Sequence, residues 1–267
     1  MHNSRVTTRV FLIRHGATEL SAEDRFAGAV DVLLSDIGRD QARRLGQRLA
    51  HEPITVAFAS PMQRTMETAR LVVSSHAIAV APVDGIREIA HGRWEGMRRE
   101  EVEREFPQEY ARYEHDPFSF SPVGGESGLQ VTARALPALL KIVEDHCEEQ
   151  IVVVSHKATI RLLLSSLLGF DPRKYRDRLD QAPCALNILD FKDVAHARLT
   201  LFNDTSHYTV TVPEVPHGRL SKVWNEDDHE VYPERSEGSS VAQRQNGSDA
   251  NTAAAPPEIP RSARDKL

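Results

Sequence analysis

Three short apolar segments of the sequence each lead towards a cationic or imidazole side chain. Arg14 and His15 follow the first segment, Arg64 comes shortly after the second, and His156 follows the third. Guanidinium groups bind phosphate oxygens through a planar pair of donors, and a neutral imidazole is available as a nucleophile near neutral pH. Brought together, these side chains would form a pocket for a doubly charged anion.

The apolar segments have the length and composition of buried strands. Strands are predicted at Arg9–Ile13, Thr55–Ala59, Ile151–Ser155, Leu186–Phe191 and Leu199–Phe202. Helices are predicted at Asp36–His51, from Ser60-Pro61 onwards, at Leu129–Cys147 and at Ala158–Leu168. This alternation of strands and helices predicts an α/β fold with a mostly parallel central sheet. Ligands of such folds bind where the strands end, which is where the four candidate residues fall.

The sequence also predicts where two of these helices begin and where a third one ends. In the first, Ser35 is a good N-cap, and Ile37, Leu45 and Leu49 recur at helical spacing as a buried face. In the second, Ser60 is the expected N-cap, with proline at the first helical position. Gly169 is expected to end the helix that follows His156.

Each candidate residue also has a structural interpretation. A histidine after a strand is more often a structural hydrogen-bonding group than a catalyst, and an arginine such as Arg64 is more often a solvated helix residue. The tripeptide Arg-His-Gly is common by chance. The coincidence of all these residues at one edge of one predicted sheet favours a shared anion site.

Seven ordered motifs between residues 9 and 207 resemble those of the histidine phosphatase superfamily, in its phosphatase branch. They are VFLIRHGATE, RFAGAVDVLLSDIGRDQARRL, SPMQRTMETA, REIAHGRWEGM, GGES, VVVSHKATIRLLL and LFNDTSH. The resemblance implies a three-layer α/β/α sandwich, like that of phosphoglycerate mutase. It also implies a phosphomonoester hydrolase that needs no metal and no cofactor.

The resemblance assigns roles residue by residue. His15 would be the nucleophile that accepts the phosphoryl group, and Arg14, Arg64 and His156 would bind its oxygens, with His156 charged. Glu88 would donate a proton to the leaving group, which requires a protonated carboxyl group that partial burial beneath Trp94 would favour. His91 is the next candidate for this role.

Two positions depart from the family pattern. Ser21 stands where many members have asparagine, which makes it a candidate phosphate-binding residue with a shorter reach. Lys157 follows the second histidine, where many members have glycine. The Lys157 ammonium group would either add positive charge to the pocket or point to solvent.

Composition excludes several classes of protein. The formal charge of −6 argues against nucleic-acid binding, and no run of eighteen apolar residues would span a membrane. No signal-peptide pattern and only two cysteines are present, so a cytoplasmic protein is expected. The histidines show no metal-ligand spacing such as HExxH, so no metal site is expected. The sequence leaves the oligomeric state undetermined.

The sequence predicts one domain, residues 6–212, followed by a C-terminal tail. Residues 213–267 hold six of the fifteen prolines and few aliphatic residues, which is typical of a largely disordered segment. Within the domain, the segment 91–122 is expected to cover the mouth of the pocket. Its apolar stripe is expected to serve packing, and consists of Val102, Phe106, Tyr110 and Tyr113.

Three functions share these residues. The first is a phosphatase that acts on a small phosphorylated metabolite through a phosphohistidine. The second is a cofactor-dependent phosphoglycerate mutase, which returns the phosphoryl group to its product, but mutases usually carry a longer insertion after the acidic loop. The third is a catalytically silent binding protein, against which the full set of catalytic residues argues. The sequence does not identify the substrate.

Overall fold

A six-stranded sheet organises the residues that the computed structural model describes, which are 7–19 and 25–209. The strands are β1 (Thr8–Arg14), β2 (Val56–Ala59), β3 (Val80–Pro82), β4 (Gln150–Ser155), β5 (Leu186–Asp193) and β6 (His196–Asp204). Their order across the sheet is β3-β2-β4-β1-β5-β6. The first four of these run parallel, and β5 and β6 are antiparallel to their neighbours. The predicted α/β fold with a mostly parallel sheet is confirmed.

Helices cover both faces of this sheet. They are α1 (Asp36–Leu49), α2 (Gln63–Val72), α3 (Arg99–Glu105), α4 (Pro107–His115), α5 (Gly128–Asp145), α6 (Lys157–Leu168) and α7 (Tyr175–Arg178). Successive side chains of a strand point to opposite faces, so β1 contributes to both cores. Its Leu12 packs in one core with Leu139 of α5, and its Ile13 packs in the other with Leu45 of α1. The result is the predicted three-layer sandwich.

Helix ends follow the sequence signals in three cases. The Ser35 hydroxyl accepts a hydrogen bond from the backbone nitrogen of Gly38 at 3.2 Å, as expected of an N-cap. Ser127 and Gln130 form a reciprocal capping box at the start of α5. Gly169 ends α6 with a left-handed φ of 72°, which glycine adopts without strain.

Three local predictions are wrong. Ile37 is 69% exposed, because the buried stripe of α1 passes through Gly38, Ala42 and Leu45 instead. Helix α2 begins at Gln63 with Met62 as its N-cap, so Ser60 lies in the preceding turn and does not cap it. The strand β3 was not predicted, because it has only three residues and none of them is buried.

The segment 91–122 forms a small aromatic core. Trp94 is fully buried, stacks on Phe120 with ring centroids 5.7 Å apart, and meets Tyr113 edge to face at 5.5 Å. Val102 and Tyr110 are buried in the same cluster. The packing role predicted for the apolar stripe is therefore confirmed. Within the described ranges, no helix is both long and apolar enough to cross a bilayer.

Candidate active site

Strand pairing brings His15 and His156 together. In the parallel pair β1–β4, Arg14 lies opposite Ser155, so the next residue on each strand is a histidine. The backbone nitrogen of His15 donates to the Ser155 carbonyl at 3.0 Å. The two imidazole centroids are 5.3 Å apart, and both side chains are buried.

The surroundings of His15 determine its tautomer. Its Nδ1 lies 2.8 Å from the Gly16 carbonyl oxygen, which can only accept, so Nδ1 carries the proton. Burial, reinforced by Arg14 and Arg64, holds the pKa of His15 well below its usual value. His15 is therefore a neutral imidazole at neutral pH, with the Nε2 lone pair available for attack.

Gly16 lets the loop after β1 approach helix α1 closely. A Cβ atom at Gly16 would lie 2.5 Å from the carbonyl oxygen of Gly38, a distance that no side chain tolerates. The backbone nitrogen of Gly16 donates to the Thr68 hydroxyl at 3.1 Å. These contacts hold the turn that carries His15 against α1 and α2.

Arg64 is almost fully buried in the first turn of α2 and binds a neighbouring loop. Its Nη1 donates to the Val30 carbonyl at 2.7 Å, and its Nη2 donates to the Gly28 carbonyl at 2.9 Å. Its Nε lies 3.3 Å from Nδ1 of His156 and can only donate. Arg64 thus links the loop, helix α2 and the second histidine.

His156 is neutral in this arrangement. Because its Nδ1 accepts from Arg64, the proton is on Nε2, which donates to the Ser60 hydroxyl at 2.8 Å. Burial, followed by the charge of Arg64, lowers the pKa of His156 well below its usual value. The structure thus differs from the charged His156 expected from the sequence, because desolvation and two guanidiniums oppose a further positive charge.

Arg14 presents an unused donor at the same site. Its Nη1 donates to the Gln181 carbonyl at 2.6 Å. Its Nε is buried and has no hydrogen-bond partner among residues 7–19 and 25–209. Burial lowers the pKa of Arg14 to about 10, so the group stays charged at neutral pH.

Glu88 is docked on the N-terminus of α6. Its Oε2 accepts from the backbone nitrogen of Ala158, and its Oε1 accepts from the backbone nitrogen of Thr159, each at 3.2 Å, while the Thr159 hydroxyl donates its one proton to the Arg87 carbonyl at 2.7 Å. Oε1 also accepts from the backbone nitrogen of Ile89 at 3.0 Å. These contacts hold the Glu88 carboxyl group at the start of α6.

Three further residues were singled out from the sequence: Ser21, Lys157 and His91. Ser21 lies outside the described residues. Lys157 is the first residue of α6, and its ammonium group lies 3.5 Å from an Asp180 carboxylate oxygen. Burial, with Arg99 and Arg176 nearby, lowers the pKa of His91 to about 3, so His91 is a neutral imidazole near neutral pH and has no acidic proton to donate.

Several residues at the site were missed by sequence reasoning. Ser60 contacts His156, and Thr159 contacts Glu88. Gln181, whose carbonyl binds Arg14, is itself fixed by two side-chain hydrogen bonds with Asn187. For Ser60 the only signal was its position after β2, and for the others the sequence offered none.

A cavity of about 320 Å³ adjoins Glu88. Its lining combines polar and apolar residues, namely Ala29, Asp31, Pro61, Met62, Arg87, Glu88, Ala90 and Glu126. The volume lies at the small end of the range for ligand pockets and suits a small metabolite. Among residues 7–19 and 25–209, no three His, Cys, Asp or Glu side chains are grouped so that they could hold a metal ion.

Comparison with known proteins agrees with this geometry. The family model of the histidine phosphatase superfamily, branch 1, matches residues 10–205, which include all four anion-site residues and Glu88. The chain belongs to the histidine phosphatase superfamily.

Two relatives of this histidine phosphatase are named as phosphatases. Phosphoserine phosphatase 1 of Hydrogenobacter thermophilus is 35% identical over 167 residues, which are 62% of this chain and 79% of the relative. Glucosyl-3-phosphoglycerate phosphatase of Mycolicibacterium vanbaalenii is 31% identical over 168 residues, which are 60% of this chain and 74% of the relative. The solved structure of Bacillus stearothermophilus YhfR superposes with a TM-score of 0.71 at 28% identity and covers 75% of this chain and 98% of its own.

Family membership and these relatives establish the reaction. The phosphohistidine mechanism is general to the family. The chain is accordingly a histidine phosphatase that hydrolyses a small phosphorylated metabolite.

Proposed function

We propose that His15 is the residue that accepts the phosphoryl group. The observation that carries this proposal is the hydrogen bond from Nδ1 of His15 to the Gly16 carbonyl, at 2.8 Å. It leaves Nε2 unprotonated in a buried site beside two guanidinium groups. A nucleophile for phosphoryl transfer needs exactly such a lone pair, and it needs no deprotonation step before attack.

Arg14, Arg64 and His156 would hold the phosphoryl oxygens. Arg14 contributes its buried, unpartnered Nε, and Arg64 contributes positive charge from the floor of the site. His156 would donate through Nε2, exchanging its contact with Ser60 for a phosphate oxygen. The Arg14 and Arg64 guanidiniums are already oriented by the protein, so they stabilise charge that develops in the transition state without reorganisation, and only His156 changes its hydrogen-bond partner.

The reaction then proceeds in two balanced steps. Nε2 of His15 forms a bond to phosphorus while the bond from phosphorus to the ester oxygen breaks, and Glu88 gives its proton to the leaving alkoxide. Water next attacks phosphorus, returns a proton to Glu88 and releases phosphate and free His15. A phosphate dianion beside Glu88 favours the protonated carboxyl group that the first step requires.

The substrate class that we propose is a small alkyl phosphomonoester. The cavity of about 320 Å³ beside Glu88 is large enough for a leaving group of a few carbon atoms. Transfer to water is favoured over return to a second acceptor, because the segment 91–122 is a compact aromatic core and carries no long insertion. Phosphoglycerate mutase activity is the alternative.

One experiment separates these two activities. The protein is supplied with 3-phosphoglycerate and a catalytic amount of bisphosphoglycerate, and both phosphate release and isomerisation are followed. Phosphate release at a rate above isomerisation is the expected result. Isomerisation that is much faster than phosphate release would contradict hydrolysis as the main reaction, and the absence of both would exclude 3-phosphoglycerate as a substrate.

The domain boundary and the cellular location are also proposals. A catalytic domain at residues 6–212 is supported by the family match to residues 10–205. A cytoplasmic location is supported by two unpaired cysteines, Cys147 and Cys184, which are typical of reducing compartments. Fractionation of cells that express the protein tests the location.

A further inference from the structure

Beside the four anion-site residues lies a second group of charged side chains. Lys157 and Arg161 stand one turn apart on α6, and both face Asp180. Asp180 is adjacent to Gln181, whose carbonyl binds Arg14. The loop that carries Asp180 therefore connects this second group directly to the phosphate-binding arginine.

Positive charge exceeds negative charge in this group. One carboxylate oxygen of Asp180 contacts both cations. It lies 3.0 Å from Nη2 of Arg161 and 3.5 Å from Nζ of Lys157. The longer distance exceeds that of a strong charge-assisted hydrogen bond. Lys157 is thus only partly neutralised, although it lies among the charges of Arg14 and Arg161.

Two further observations point to a missing anionic partner. The Nε of Arg161 is buried and lacks a hydrogen-bond partner within the described residues, and the Arg161 side chain is only 12% exposed. Burial, with Arg161 and Arg14 nearby, lowers the pKa of Lys157 to about 7, and Asp180 only partly opposes this shift. An added anion would relieve this imbalance.

This second group of charged side chains begins next to the residues that hold Glu88. Glu88, the proposed proton donor, is held by the backbone nitrogens of Ala158 and Thr159. Lys157 immediately precedes these residues in the first turn of α6. The first turn of α6, which carries Lys157, therefore lies beside the proposed proton donor.

We propose that Lys157, supported by Arg161, binds a carboxylate on the leaving group and makes the enzyme selective for phosphomonoesters that carry one. This inference rests on the proposed function, because it assumes that Glu88 marks the leaving-group side of the site. Lys157 acts here as a specificity-determining residue and takes no part in the transfer of the phosphoryl group.

Two matched pairs of substrates test the proposal. 3-Phosphoglycerate is compared with glycerol 3-phosphate, and phosphoserine with phosphoethanolamine, so that each pair differs by the carboxylate. We expect the wild-type protein to have the higher kcat/KM for the carboxylate member of the pair that it turns over faster. Lys157→Met should lower kcat/KM for that member about 10- to 100-fold, the range expected for a lost hydrogen bond between charged groups.

The controls separate specificity from damage to the fold. Lys157→Met should change kcat/KM for the substrate without a carboxylate by less than about threefold. Lys157→Arg should keep most of the preference, because it keeps the charge. Lys141→Met removes a lysine that pairs with Asp145 on the exposed face of α5 and should leave both substrates unaffected.

Three outcomes would overturn the proposal. The first is a wild-type protein without preference for the carboxylate member of either pair. The second is a preference that survives Lys157→Met. The third is an equal loss on both members of a pair, which would place Lys157 at the phosphoryl group. In each case, phosphate labelling of His15 by either substrate would show that the proposed function still holds, whereas its absence from the wild-type protein would show that the proposed function has failed.

Discussion

Glu88 binds the start of the helix that follows His156: its Oε1 lies 3.2 Å from both the backbone nitrogen and the hydroxyl oxygen of Thr159. The two residues are 71 positions apart in the chain. This contact fixes the carboxylate of Glu88 relative to the second histidine. It also gives Glu88 a structural role as a helix cap, which has to be separated from any role in proton transfer.

Replacing Glu88 by Gln distinguishes these two roles. Glutamine keeps the shape and one acceptor oxygen but cannot supply an acidic proton. We expect kcat on alkyl phosphates to fall on the order of 10²–10⁴-fold, and kcat on aryl phosphates with acidic phenols to fall much less, because such phenols leave without assistance. Steady-state kinetics on both substrate types is the measurement.

The contacts of Glu88 provide a matched control. Thr159→Val removes one hydroxyl donor but leaves the proton of Glu88 untouched, so its effect should be small and equal on the two substrate types. If Glu88→Gln also gave equal losses on both, Glu88 would serve only to hold the loop and the helix. His91 would not replace it, because its pKa of about 3 leaves it without an acidic proton to donate.

His15 should carry the phosphoryl group during turnover. Rapid quenching with ³²P-labelled substrate under non-acidic conditions should trap an acid-labile phosphoryl group attached to nitrogen. The variant His15→Ala should lose both the label and turnover, since it lacks the Nε2 lone pair. Label at normal stoichiometry in this variant would mean that another residue is the nucleophile.

Stability should depend on pH through the buried histidines. The pKa of His15 is far below its unfolded value of about 6.5, so below that pH the unfolded chain binds a proton that the folded chain excludes. The free energy of unfolding therefore falls as the pH falls below about 6.5. The variant His15→Gln lacks this contribution to the pH dependence. His156, whose pKa is lowered in the same way, adds a contribution of the same sign.

Urea unfolding between pH 5 and pH 8 measures this effect. The curve of His15→Gln should be flatter than that of the wild-type protein below pH 6.5 and parallel to it above pH 7.5. Parallel curves over the whole range would show that His15 titrates normally in the folded protein.

Hydrolysis should continue after treatment with a strong chelator. Two guanidiniums and two imidazoles supply the charge and the donors that phosphoryl transfer requires. Phosphate release is measured before and after extended dialysis against the chelator, with zinc, magnesium and manganese added back separately. Activity that is lost and then restored by one of these ions would contradict the prediction.

Removal of residues 213–267 should leave kcat/KM within about threefold of the full-length value, a change of less than 1 kcal/mol. The family match ends at residue 205, and the Tyr208 hydroxyl donates to the Pro183 carbonyl at 2.6 Å, which anchors the end of the described region. Activity and thermal unfolding of both lengths are compared. An insoluble or much less stable short form would place the boundary further along the chain.

Most of the fold could be predicted from the sequence, because the runs of apolar residues and the order of the motifs indicate its strands and helices. Strands β1, β2 and β4 are runs of apolar residues that must be buried, and each ends next to a polar residue that a purely structural strand does not need. The motifs that contain these strands also indicated the histidine phosphatase superfamily. These features are local, because a segment of a few residues carries its own pattern of burial.

The chemistry of the site was decided only by the tertiary structure. Which nitrogen of His15 carries the proton depends on a carbonyl oxygen 2.8 Å away, and the charge of His156 depends on Arg64, which is 92 positions distant in sequence. Sheet order places β4 between β1 and β2, so these partners meet across strands that are not neighbours in the chain. A local pattern cannot encode such contacts, and the pKa of a buried group follows from everything packed around it.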